Sequence, residues 1–272
     1  MKRLSLPLMS AVGLMGMTAL TGCGSGSTDS ATSASAAMTP SASSTPSPSS
    51  TLSGTVTVLA AASLTESFTA LEKSFEAINP GVDVTISFGS SATLAQQIAQ
   101  GAPADLYASA GTKALDQLPA EAKAKPTTTL AKNVLEIATP PGNPKKVTGL
   151  ASLADASTNV VLCAETVPCG SAADAVLTKA AVTAHVVSRE VDVKATLAKI
   201  TLGEADAAIV YHSDVVAAGS KVEGVEIPSA QNTTLAYPLV RLTDTAATKA
   251  FADLLASAAG LKELEAVGFL AP

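Results

Sequence analysis

Residues 55–81 read TVTVLAAASLTESFTALEKSFEAINPG, and this stretch decides the fold class. Thr55 to Ala61 is a β-branched, apolar run without charge, the composition of a strand buried on both faces. After the serine, Leu64, Phe68, Leu71, Phe75 and Ile78 recur at steps of four and three, the stripe of an amphipathic helix. Asn79-Pro80-Gly81 stops it. The same alternation continues outward. Val82, Val84 and Ile86 alternate as a strand, Thr93 to Gln100 is a short helix closed by Gly101, and Asp105 to Ser109 and Asn133 to Thr139 are strands. Beyond Pro140-Pro141-Gly142 come a strand at Asn159 to Ala164 and helices at Ser171 to Ala181 and Lys194 to Leu202. Strands at Ala207 to Tyr211 and Leu235 to Leu242 and a helix at Thr245 to Ala258 complete the set. Strands alternating with helices predict an α/β fold with mostly parallel sheets covered on both faces.

Composition narrows the chemistry. Of 272 residues, 47% are hydrophobic and only 15% charged, and the net charge is −6. Aromatic residues make up 3%, with no Trp. A nucleic-acid partner is not expected, because that role needs a basic face and usually stacking rings. With two His and three Cys, most zinc enzymes are excluded, since their ligand sets would use nearly all of these residues.

The N-terminal part reads as address and tether. Met1-Lys2-Arg3 precedes an uncharged apolar run from Leu4 to Leu20, the pattern of a signal peptide over residues 1–22. Leu20-Thr21-Gly22-Cys23 resembles the bacterial lipobox, in which the Cys is lipidated (as by palmitate) and anchors the mature chain to the membrane. Residues 23–53 follow as the tether. Gly24 to Ser53 contains twelve Ser, five Thr and three Pro but a single charge, Asp29, too little apolar surface to offset chain entropy.

Three strand-to-helix junctions stand out in the remainder. Ser63 opens the first helix and forms a capping-box pattern with Glu66. Ser90-Ser91-Ala92-Thr93 opens the second, and Pro168-Cys169-Gly170-Ser171 the third. Each offers N–H groups without intrahelical acceptors at the positive end of a helix dipole, a setting that suits an anion. Taken singly, each Ser also reads as a plain N-cap.

The motifs around these junctions carry a resemblance. Val58-Leu-Ala-Ala-Ala-Ser63-Leu-Thr-Glu-Ser-Phe68 and Ser87-Phe-Gly-Ser-Ser91-Ala-Thr-Leu-Ala-Gln-Gln-Ile98 resemble segments of the molybdate-binding proteins of ABC transporters. So do Gly101-Ala-Pro-Ala-Asp105, Val167-Pro-Cys-Gly170, Val191-Asp-Val193-Lys194 and Gly203 through Tyr211-His-Ser-Asp214, in order, over nearly all of Gly54 to Pro272. The resemblance implies a two-lobed periplasmic-binding-protein fold of type II with a hinge. Lobe I would comprise residues 54–131 and 238–272, and lobe II residues 132–237. It implies ligand binding through the Ser63 and Ser91 hydroxyls, the backbone amides of Cys169 and Val193, and the Tyr211 hydroxyl. Ser90 is the adjacent alternative to Ser91, and Lys194 departs from the Arg of the family pattern. The ligand would be molybdate, with tungstate binding alike.

Cys163 and Cys169 flank a strand-to-turn passage in an exported domain, where a disulfide is favoured; two free thiols are the alternative. His212-Ser213-Asp214 contains triad residue types, but sequence neighbours do not face one another and no nucleophile elbow occurs. Asp105 and Asp206 read as strand-end hydrogen-bonding residues. The expectation is therefore an extracytoplasmic, lipid-anchored, monomeric binding protein, not an enzyme. It needs no cofactor and no cation site, and it delivers an oxyanion to an ABC permease. The alternatives are a binding protein for sulfate or a phosphonate, an exported serine hydrolase, and an adhesive lipoprotein.

Overall fold

The computed structural model describes residues 52–272. The expected signal peptide, Cys23 and the tether up to residue 51 lie outside the described residues. Strand β1 (Gly54–Ala61) leads through a 3₁₀ turn at Ala62–Leu64 into helix α1 (Thr65–Ile78). Strand β2 (Val82–Gly89), helix α2 (Ser91–Ala99), strand β3 (Leu106–Ala108) and the short helix α3 (Ala120–Lys123) follow. Strand β4 (Thr127–Thr139) is long. Then come β5 (Val160–Cys163), α4 (Pro168–Lys179), β6 (Val186–Glu190), α5 (Val193–Thr201), β7 (Ala207–Tyr211), α6 (His212–Ala218) and β8 (Glu223–Glu226). The chain closes with β9 (Thr234–Arg241), α7 (Ala246–Leu255) and α8 (Ala258–Ala266).

The strand order is β2-β1-β3-β9-β4-β7-β5-β6, with β8 beside β4. Parallel pairing, as the alternation predicts, holds within each outer group: β1 with β2 and β3, and β5 with β6 and β7. The middle is antiparallel, because β4 and β9 carry the chain between the groups in opposite directions. Thr127 to Val134 of β4 pairs with β9, and Leu135 to Ala138 then pairs with β7. Among the described residues no helix is long and apolar enough to cross a membrane.

Burial follows the sequence pattern with instructive departures. Phe68, Leu71 and Phe75 of α1 are buried, whereas Ile78 is 71% exposed. The helix ends there, and Asn79 turns inward instead, donating from Nδ2 to the Phe75 carbonyl. Helix α4 begins at Pro168, three residues before the expected Ser171, because Pro at the first position has a helical φ and no N–H to satisfy. The helix expected from Thr245 to Ala258 is α7, which ends at Leu255, and an unexpected helix α8 follows, with Ser257 capping it by accepting from the Gly260 N–H. Strand β6 and helix α6 were not expected from periodicity. All three tyrosines are buried.

Candidate functional site

Ser63, Ser91, Cys169, Val193 and Tyr211 come from five separate segments, and all line one small cavity. The cavity lies where the first turns of α2, α4 and α5 meet the ends of β1 and β7. Ser90 lines it too.

Each residue arrives for a local reason. The small residues Ala60-Ala61-Ala62 end β1 and admit the tight turn that presents Ser63. The expected capping box is not formed. Helix α1 starts at Thr65 with Leu64 as its cap residue, and no side chain caps it. The Ser63 hydroxyl instead meets the Tyr237 hydroxyl at 2.9 Å, and Glu66 turns to Lys194. Tertiary partners outbid the local cap because both groups are drawn into buried or ionic contacts.

Ser90 holds the N-cap position of α2, yet its hydroxyl makes no capping bond and is buried without a partner among the described residues. Ser91 is the first helical residue. Its Oγ accepts from the Ala110 N–H at 2.9 Å, and its carbonyl accepts from the Tyr107 hydroxyl at 2.7 Å. Both serines thus reach the cavity. Burial pushes the Tyr107 phenol up to about 12, which keeps it a donor.

Cys169 sits in the first turn of α4 and is joined to Cys163, at the end of β5, by a disulfide. Next to it, a Cβ on Gly170 would lie 1.9 Å from the Ala164 carbonyl oxygen. Glycine is required there for the close approach of α4 to the strand end. Val193 opens α5, capped by Asp192, whose carboxylate accepts from the Ala195 N–H at 2.9 Å. In a first helical turn such N–H groups have no intrahelical acceptor.

Tyr211 ends β7. Its ring stands edge-on to Tyr237, centroids 6.1 Å apart, and its hydroxyl has no hydrogen bond of good geometry among the described residues. Burial above all drives its pKa well up, so the phenol stays protonated. The cavity is thus lined by hydroxyls and helix N-termini. Among the described residues its one charged lining residue is Asp192, and no Lys, Arg or His lines it.

Sequence reasoning missed a buried chain behind Ser63. Asn133 donates from Nδ2 to Ser213 Oγ at 2.8 Å and, at 3.4 Å, to Tyr237 Oη. A polar residue within the apolar run of β4 was the available signal. Also missed was an ionic triad beside the cavity. The Lys194 ammonium lies 2.8 Å from both Glu66 carboxylate oxygens and 3.0 Å from Asp214 Oδ1. Burial, above the attraction of Lys194, lifts the Asp214 pKa to about 6.

Other candidates fall elsewhere. His212 pairs with Glu136, Ser213 with Asn133 and Asp214 with Lys194, so these neighbours form no triad. Asp105 accepts from the Thr57 N–H and Asp206 from the Asn159 N–H, as strand-end residues. Among the described residues no group of three His, Cys, Asp or Glu side chains is placed to hold a metal ion.

Residues 56–270 match the family model of bacterial extracellular solute-binding proteins. The chain is 37% identical over 222 residues to the molybdate-binding protein ModA of Mycobacterium tuberculosis, covering 80% of this chain and 85% of that one. It is 34% identical to the protein of the same name from Escherichia coli, covering 79% and 89%. A solved substrate-binding domain assigned to a molybdenum ABC transporter of Clostridium difficile superposes with a TM-score of 0.61 at 31% identity. That match covers 80% of this chain and 99% of the other.

Proposed function

The chain belongs to the bacterial extracellular solute-binding protein family, and from that premise we propose that its solute is molybdate, with tungstate bound alike, for delivery to an ABC permease. The observation that carries this reading is the convergence of Ser63, Ser91, Cys169, Val193 and Tyr211 on one cavity whose described lining holds no cationic side chain. A fully deprotonated oxyanion presents only acceptors, and this wall presents hydroxyl and amide donors to meet them. The 37% identical relative is named for molybdate binding. The chemistry is capture and release, not catalysis.

The Ser63 and Ser91 hydroxyls and the Cys169, Val193 and Tyr211 donors would together meet the four oxygens of the tetrahedral ion. Residues 54–131 with 238–272 form one lobe and 132–237 the other, and an ion bridging them favours the closed state. Cys23 anchors the monomeric protein by its lipid on the outer face of the membrane. Because the described wall offers no cation, cavity size and donor number set selectivity. Sulfate is smaller and leaves donors unpaired, each at about 1–3 kcal/mol. Calorimetric titration of the purified protein is expected to give tighter binding of molybdate and tungstate than of sulfate; equal or tighter sulfate binding would overturn the molybdate assignment.

A further inference from the structure

The four buried polar residues behind the cavity form a hydrogen-bonded chain whose direction is fixed at its Asn133 end. The Asn133 side-chain oxygen accepts from the Val134 N–H at 3.0 Å. A backbone N–H can only donate, so the atom facing it must be the amide oxygen. The amide nitrogen therefore faces Ser213 at 2.8 Å and Tyr237 at 3.4 Å, and it can only donate. Tyr237 Oη accepts there, which favours the arrangement in which its own proton goes to Ser63 Oγ, 2.9 Å away. Ser63 Oγ then accepts, and the Ser63 proton is free to point into the cavity that this residue lines. Asn133 and Tyr237 have no exposed surface and Ser63 has 3%, so water does not compete for these bonds. On the opposite wall Ser91 Oγ is occupied as an acceptor by the Ala110 N–H, with the same consequence for its proton.

We propose that Asn133 and Tyr237 are positioning residues that fix the Ser63 hydroxyl as a donor toward the bound oxyanion. This rests on the molybdate reading for its ligand, but not for the relay itself. Without the relay, Ser63 and Tyr237 can exchange donor and acceptor roles, and part of the Ser63 population turns its proton away from the ion. The relay also runs from β4 and β9, the two strands that carry the chain between the sheet groups, so the site is polarised from the middle of the fold.

The test is a double-mutant cycle on the full chain, read by molybdate affinity and by the melting temperature of the ligand-free protein. Tyr237→Phe keeps the ring and is expected to weaken molybdate by about tenfold, the scale of one hydrogen bond to a charged group. Asn133→Leu is expected to weaken it several-fold. Both losses are expected to vanish in a Ser63→Ala background, because the residues act through Ser63. A purely structural role would persist in that background, and equal losses in both backgrounds would overturn the proposal. In the ligand-free protein, Ser63→Ala should lower the melting temperature by stranding the Tyr237 proton, and adding Tyr237→Phe should recover part of the loss. Additive losses of melting temperature would also overturn the relay. If the wild type fails to bind molybdate, the functional reading falls alone, and the melting cycle still decides the relay.

Discussion

The Ser63–Tyr237–Asn133–Ser213 chain and the Glu66–Lys194–Asp214 triad begin and end on neighbouring residues of the same segments, yet they are built differently. The first is neutral, wholly buried and linked to the cavity wall. The second carries full charges and keeps one edge in solvent, with the Glu66 side chain 42% and the Lys194 side chain 27% exposed. Charges cost a great deal to bury unless they are paired, whereas hydroxyls and amides need only directed partners. The triad ties α1, α5 and α6 together without lining the cavity, and the neutral chain serves the wall. A cation facing the ligand would hold a dianion more strongly but would remain as an uncompensated buried charge in the empty site.

The largest effect should come from breaking the triad. Lys194→Met leaves the fully buried Asp214 without its cation, at about 3–5 kcal/mol if it stays ionised. The pH dependence has a definite sign. The Asp214 pKa is raised from 3.8 to about 6 in the folded protein, so its stabilising contribution is present below about 3.8 and is lost as pH rises through about 6. Removing Lys194 raises that pKa further. Thermal melts should therefore show a small penalty for Lys194→Met at pH 5 and a large one at pH 8. A penalty independent of pH would mean that Asp214 is not the stranded group.

Gly170→Ala attacks the cavity wall instead. The new Cβ would meet the Ala164 and Cys163 carbonyl oxygens, which are backbone and cannot yield. A loss of about 3 kcal/mol in stability is expected from overpacking at this contact, together with weakened molybdate binding as the α4 terminus moves. Unchanged melting and unchanged affinity would show that the α4 entry tolerates a shift.

The smallest effect is expected from salt. If no cation faces the ligand, raising ionic strength from low to physiological should change molybdate affinity by less than about twofold. A tenfold weakening would indicate that Lys194 reaches the ion and would erase the contrast between the two groups.

Much of this was legible because periodicity reports burial. The runs at Thr55 to Ala61 and Ala207 to Tyr211 became buried strands, and Phe68, Leu71 and Phe75 became the inner face of α1. Strand β6 was missed because Val187 and Arg189 alternate outward at an edge where neither face is strongly apolar. The start of β4, Thr127 to Thr129, was missed because its side chains are exposed and polar, so only pairing with β9 marks it as a strand. At the site, Ser63, Ser91 and Cys169 were legible from strand-to-helix junctions, while Val193 and Tyr211 came only through the resemblance.

By itself the sequence determined the buried strands and the amphipathic helices, that the cavity could contain few charges, and which small residues and glycines admit close backbone turns. Those properties are local: they depend on side-chain size, branching and polarity at each position. Tertiary structure alone decided that Ser63 bonds to Tyr237 rather than capping α1, and that Glu66 pairs with a lysine 128 residues away. A hydroxyl chooses its partner by distance and burial, and neither quantity exists until β4 and β9 bring the two sheet groups together.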